Sequence, residues 1–334
     1  MPSEVVELAN IDRAGVAAAV AGLSEPRLIR GLVADWPLVA AARHSASAAM
    51  EYLARFDAGK PLQAMVAAPE SGGRLFYNHE LTGFNFRPER VVLGAVLDTL
   101  RRLQGEESPP AIYVGSTTIE TYLPGLIEAN PMPGLPADTL ASIWLGNRSR
   151  IAAHHDLPDN LACVAAGRRR FTLFPPEQIG NLYIGPLDFT PAGQAISLVD
   201  FAAPDFERFP RFASALEAAQ VVELEPGDAL YIPSLWWHHV EGLSAFNVLI
   251  NYWWRGVPAW RESPMSALML ALISLRGLPA QQREAWRALF EHYVFGSPEA
   301  SVAHIPEHAQ RLLGPLDAQR ADELRERLRQ RLTR

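Results

Sequence analysis

Residues 143–254 form a train of short apolar runs broken by proline and glycine, with little helical periodicity. Runs of that length, bounded by turn residues, read as strands rather than helices. Several in succession suit a closed or two-sheet β architecture, in which each strand turns one face to the core and one outward. No other stretch constrains the fold as strongly. Ahead of it, residues 111–114 read as the strand that opens this core. Residues 1–60 mix helix and short strand: a helix started by Asp12 and running to Val20, a strand over 27–30 ended by Gly31, and a Ser45-capped helix over 45–56. Residues 76–78 and 84–86 are aromatic-rich and expected to be extended, and 88–103 has helical spacing. Residues 104–110 and the proline-rich 130–138 read as loops. After Pro258 the pattern changes, and 263–276, 279–294 and 317–332 all read as helices. The predicted organisation is a mainly β core with flanking helices over 1–257 and a helical segment over 258–334.

A chain of 334 residues can bury a large core, and 49% hydrophobic with 20% charged residues is ordinary for a globular protein. The net charge of −7 argues against a broad phosphate-binding surface, so a nucleic-acid partner is not expected. The apolar run at 267–273 is too short to cross a membrane. The N-terminus lacks a basic stretch followed by an apolar one, so no secretory signal is expected. One cysteine, Cys163, excludes an intrachain disulfide framework and a cysteine-rich zinc site. A cytoplasmic location is the resulting expectation.

His154 and Asp156 stand two residues apart. In a strand such residues share a face, so one metal ion could take both. The run Trp236, Trp237, His238, His239 offers a third ligand from either histidine. Two histidines and one carboxylate on one face of a metal leave positions open, as in non-haem Fe(II) oxygenases. The same ligands also suit Mn, Co, Ni or Zn. Alone, an H-x-D triplet is more often surface polarity or a satisfied core histidine. Here, however, Gly167 is followed by Arg168, Arg169 and Arg170 on an otherwise apolar strand, where an unpaired cation is expensive. Alternation sets Arg169 on one face, with Arg168 and Arg170 on the other. The turn 225–228 then feeds the apolar run 229–233, directly before the histidine pair.

This ordered set resembles the JmjC/cupin-like family of Fe(II)- and 2-oxoglutarate-dependent oxygenases, and in particular the branch containing the asparaginyl hydroxylase factor inhibiting HIF. The likeness covers about 144–254 and includes His154, Asp156, Asn160, Gly167, residues 173–176, 204–210 and 226–228, Trp236 to His239, and 251–253. It implies a double-stranded β-helix (jelly-roll) core, with His154, Asp156 and His238 as metal ligands and Fe(II) as the metal. By the same resemblance Arg169 and Tyr113 would bind the distal carboxylate of 2-oxoglutarate, and Asn160, Asn251 and Trp253 would line the cosubstrate pocket. A core role for Tyr113 stands as the alternative. The family threonine before the first histidine is replaced by Ile151. The Arg–Gln pair that holds the target amide in the asparaginyl hydroxylase corresponds to Ala195 and Ile196, with Gln194 out of register. Asparaginyl specificity is therefore not expected. A protein or peptide side chain is the expected substrate, with O2 as co-reactant. A metal-dependent cupin that binds a small molecule or carbohydrate without oxidising it is the competing reading. Leu324, Leu328 and Leu332 recur every four residues on the last helix. This apolar stripe suits either a homodimer interface, as the resemblance implies, or packing on the chain's own barrel.

Overall fold

The computed structural model describes residues 2–333. Its chain divides into two compact units, 1–256 and 257–334. Among the described residues the first holds fourteen strands: β1 (Ser3–Glu4), β2 (Arg27–Ile29), β3 (Leu62–Ala67), β4 (Arg74–Leu75), β5 (Phe86–Val91), β6 (Ala111–Thr118), β7 (Leu140–Gly146), β8 (Ser149–His154), β9 (Asp159–Ala166), β10 (Arg169–Phe174), β11 (Gln220–Leu224), β12 (Ala229–Ile232), β13 (Trp237–Gly242) and β14 (Asn247–Trp254). They form a six-stranded sheet, β1-β11-β10-β13-β8-β4, and an eight-stranded sheet, β2-β12-β9-β14-β7-β6-β3-β5. Apart from the parallel pairs β1–β11 and β4–β8, all pairing is antiparallel. The mainly β jelly roll with flanking helices expected from residues 143–254 is thus the fold that forms.

The alternation of apolar residues decides which face each strand buries. Phe171, Leu173, Val222 and Val240 of the small sheet meet Val164, Leu230 and Leu249 of the large one between the sheets. The intervening residues of the large sheet, Cys163, Ala165, Val248 and Ile250, face the other way. They pack beneath α1 (Val16–Val20), α2 (Pro37–His44), α3 (Ala46–Ala54) and α4 (Leu93–Leu103), against Trp36, Leu38, Met50, Leu53 and Leu97. Each fully buried side chain of this size contributes about 1.5–3 kcal/mol. Two sheet faces buried at once explain why β9 and β14 read as nearly continuous apolar runs.

Two turns fix the register near the site. Gly167, between β9 and β10, has φ +70°, and a Cβ there would lie 2.4 Å from the Phe246 carbonyl oxygen. Only glycine fits that approach. Asp228 closes the turn before β12. Its carboxylate accepts from the Gly31 N–H at 3.0 Å, the Glu225 N–H at 3.0 Å and Arg30 Nη1 at 2.6 Å.

Local reading misplaced some elements in the N-terminal third. The helical spacing over 88–103 belongs to a helix only from Leu93, because Phe86–Val91 is β5. Pro88 lies on that strand, which is the edge of the eight-stranded sheet and so tolerates a missing N–H. Asp12 caps a turn rather than the helix: its Oδ1 accepts from the Gly15 N–H at 2.7 Å, and α1 starts at Val16. The Ser45 cap holds, its hydroxyl accepting from the Ala48 N–H at 3.0 Å. The second unit carries helices over Pro264–Leu275, Ala280–Phe290 and Ala318–Leu332. No helix among the described residues is long and apolar enough to cross a membrane.

Candidate metal centre

β8 and β13 lie antiparallel in the small sheet, and their register sets His154 directly opposite His238. Their ring centroids are 4.3 Å apart. The third member arrives differently from the strand argument. β8 ends at His154, so Asp156 lies in the loop beyond it. That loop is held by the turn entering β13. The Leu235 N–H donates to the Asp156 carbonyl at 2.9 Å, and the Ser234 hydroxyl donates to the Leu157 carbonyl at 2.6 Å. Leu235 takes a left-handed conformation, φ +68°, to make this contact, a geometry that costs a non-glycine residue about 1–2 kcal/mol. Asp156 Oδ2 thereby comes within 3.8 Å of His238 Nε2. One donor atom from each of the three residues lies within 4.8 Å of the others, a spacing that can hold a metal ion.

The hydrogen bonds around the triad orient it. His154 Nδ1 lies 2.9 Å from the Ala152 carbonyl, and His238 Nδ1 lies 3.0 Å from the Trp236 carbonyl. A proton on each Nδ1 satisfies both carbonyls and leaves both Nε2 lone pairs for a metal. Burial, with His154 close by, pushes His238 down to about 4, so its imidazole is neutral at neutral pH. Asn160 Nδ2 donates to Asp156 Oδ2 at 3.2 Å, and Asn251 Nδ2 donates to Asn160 Oδ1 at 2.6 Å. This relay joins the adjacent strands β9 and β14 to the carboxylate. His155 and His239 face away. His155 sits edge-on to Trp237, and His239 stacks on Phe201 with ring centroids 4.4 Å apart.

Beside the triad, β10 carries Arg169 into the interior, where it is 1% exposed. Its neighbours on the strand behave differently: Arg168 and Arg170 pair with Glu223, and Arg170 also reaches Glu241. Arg169 has no carboxylate partner among the described residues. Its polar contacts are few: a long hydrogen bond from Nη2 to the Trp144 carbonyl at 3.4 Å and the facing Tyr113 hydroxyl, while its Nε has no partner. Burial lowers the pKa of the guanidinium, opposed by the facing Tyr113 hydroxyl. Burial likewise pushes Tyr113 up to about 12, Arg169 working against the shift. All eight residues singled out from the sequence, including Trp253, line this one inner cavity. So do four buried polar atoms that lack a protein partner: Arg169 Nε, Trp144 Nε1, Trp253 Nε1 and Asn251 Oδ1. Buried polar groups are rarely left unpaired, so orphans on one wall point to a polar ligand. Three of the four are donors, and one belongs to a cation. The donor set therefore fits a bound metal with an anionic chelator beside it.

The site opens outward into a second cavity of about 240 Å³ that meets the first at His154 and Asp156. Its walls include Met65 of β3, Leu75 of β4, Ile151 of β8 and Ile196. Gln194, out of register in the family comparison, also lines it, whereas Ala195 does not. Sequence reasoning did not identify Met65 or Leu75 as neighbours of the site. Both lie far from the triad in sequence and carry no chemical signature of their own.

A family model described as a cupin-like domain matches residues 14–259. The chain belongs to that family. The match covers both sheets except the edge strand β1, and includes every residue of the candidate metal centre. Among curated proteins, similarity extends to the lysine-specific demethylase JMJ31 of Arabidopsis thaliana, 33% identical over 36% of this chain and 22% of that protein. JmjC domain-containing protein C of Dictyostelium discoideum is 31% identical over 44% of this chain and 37% of that protein. The tRNA wybutosine-synthesizing protein 5 of Danio rerio is 35% identical over 32% of this chain and 29% of that protein. Each alignment thus covers well under half of the relative's length.

Proposed function

We propose that this cupin-like protein is an Fe(II)- and 2-oxoglutarate-dependent oxygenase that hydroxylates a C–H bond on a protein or peptide side chain. The observation that carries the reading is the pairing of an open His–Asp–His face with a buried, unpaired arginine in one cavity. A metal-binding module without a dianionic cosubstrate has no use for such an arginine.

His154, Asp156 and His238 would hold the metal on one face. Asn160, backed by Asn251, keeps the Asp156 carboxylate turned towards it. Arg169, with Tyr113 beside it, would grip the far carboxylate of 2-oxoglutarate, for which a guanidinium fork is well shaped. Trp144 and Trp253, ring centroids 5.9 Å apart and edge to face, close the cosubstrate pocket against water. With metal, 2-oxoglutarate and O2 present, the chemistry supplied is oxidative decarboxylation to succinate and CO2, coupled to insertion of one oxygen atom into a substrate C–H bond. No side chain acts as a nucleophile. The relatives include both a lysine-specific demethylase and a tRNA wybutosine-synthesizing protein. The net charge of −7 favours the protein substrate.

The test is anaerobic. Fe(II) and then 2-oxoglutarate are added to purified protein, and the visible charge-transfer absorption of a chelated complex is followed. A band that is absent in Asp156→Ala and His238→Ala, and that needs far more 2-oxoglutarate in Arg169→Ala, is expected. Fe(II) binding without a band would reject the reading.

The helical unit supports a second proposal, that two copies pair through it. Ile273, Val294, Phe295 and Leu332 are each more than half exposed, apolar surface that a second copy would cover. Light scattering should give a dimer, and Leu328→Glu with Leu332→Glu should give a monomer.

A further inference from the structure

The outer cavity has a composition that bears on what enters it. Of the side chains that line it, only Asp156 carries a formal charge, and Asp156 is a proposed metal ligand. The rest of the wall is chiefly apolar, Met65, Leu75, Ile151 and Ile196 among it, with Gln194, Ser116, Tyr113 and the indoles of Trp144 and Trp253 as uncharged polar members. Gln194 makes no side-chain hydrogen bond to another described residue. Behind this wall lies the buried positive charge of Arg169.

Taking the proposed function as given, the charges of the loaded site can be counted. Two positive charges on the metal and one on Arg169 face one negative charge on Asp156 and two on 2-oxoglutarate. The loaded floor is neutral, and the wall has no carboxylate to spare. A lysine, methyl-lysine or arginine side chain reaching the metal would leave water without a counter-charge, which is strongly unfavourable. An aliphatic or amide group would lose little and would gain apolar contact.

We infer that this site takes an uncharged side chain, aliphatic or amide, and excludes cationic ones. The wall rather than the metal centre sets that choice, with Gln194, whose side chain has no partner among the described residues, placed to orient an amide.

The test needs no turnover. Protein loaded with Zn(II) and 2-oxoglutarate is titrated with 3-methylbutanamide or with 3-methylbutylammonium, and each probe's binding is read by saturation-transfer NMR. The 2-oxoglutarate affinity of the same preparation is measured first. If 2-oxoglutarate does not bind, the proposed function fails. If it binds, the selectivity of the wall is tested separately. The amide is expected to bind at least roughly tenfold more tightly than the ammonium, about 1.4 kcal/mol. Equal or tighter binding of the ammonium would overturn the inference, as would no saturable binding of the amide. Ser116→Asp adds a carboxylate at an exposed lining position with φ +47°, a conformation that aspartate tolerates. Ammonium binding should then strengthen by roughly tenfold. A folded Ser116→Asp protein with unchanged ammonium affinity would show that the probes bind elsewhere and would overturn the assignment.

Discussion

Replacing Arg169 by methionine should leave the protein without 2-oxoglutarate as stable as before, or more stable, while removing most of its affinity for that ligand. The expectation follows from the surroundings of the guanidinium. It is 1% exposed, has no carboxylate partner among the described residues, and has only a long hydrogen bond to the Trp144 carbonyl and the facing Tyr113 hydroxyl as neutral partners. A charge so placed has lost its hydration with little compensation, and exchanging buried ionic groups for apolar ones of similar volume is often neutral or stabilising by about 1–4 kcal/mol. Binding runs the other way. A carboxylate held by two charge-assisted hydrogen bonds, each contributing about 1.5–3 kcal/mol, loses both. The dissociation constant for 2-oxoglutarate should rise by about 10²–10⁴-fold. The assay is denaturant unfolding of Zn(II)-loaded wild type and Arg169→Met, each with and without 2-oxoglutarate. Ligand-induced stabilisation should be present in the first and nearly absent in the second. If Arg169→Met unfolds several kcal/mol more easily while 2-oxoglutarate still stabilises it normally, Arg169 is a structural cation and the reasoning is wrong.

Asn160→Ala removes the amide that donates to Asp156 Oδ2; metal affinity, measured by Co(II) titration, should fall about 10–100-fold with the fold intact by circular dichroism. Asp228→Ala leaves the Gly31 and Glu225 N–H groups and Arg30 without their shared acceptor; urea unfolding should show a loss of about 2–4 kcal/mol. Gly167→Ala must both adopt φ +70° and push the Phe246 carbonyl away; its expected cost is more than about 2 kcal/mol in the same experiment. An unchanged midpoint in that variant would mean the β9–β10 turn can shift freely.

Element type was most legible where one local pattern governed. The strands over 143–254 and the three C-terminal helices follow from periodicity and from proline and glycine punctuation. Legibility failed at Phe86–Val91, whose helical spacing lost to pairing with β3 along Leu62–Ala67. A partner 19 to 29 residues away is invisible to a local pattern, and β propensity depends on that partner. The start of the first helix was misjudged for a related reason. Aspartate caps turns as readily as helices, and here Asp12 bonds the third residue on.

For the site, the sequence alone determined the chemistry available: two imidazoles and a carboxylate at a spacing that can converge, and an arginine on a strand too apolar to hydrate it. Side-chain type and strand alternation are local properties, so they can be read without the fold. Tertiary structure decided what those groups face. Asp156 converges on His238 because the strained turn at Leu235 holds its loop, not because a strand continues through it. Arg169 is unpaired while Arg170, its neighbour, has two glutamates, because β11 and β13 place Glu223 and Glu241 on one side of the sheet only. The outer cavity is neutral because Met65, Leu75, Ile151 and Ile196, from four distant segments, happen to meet there. Which residues meet across a jelly roll depends on strand order and register over the whole chain, and no local stretch encodes that alone.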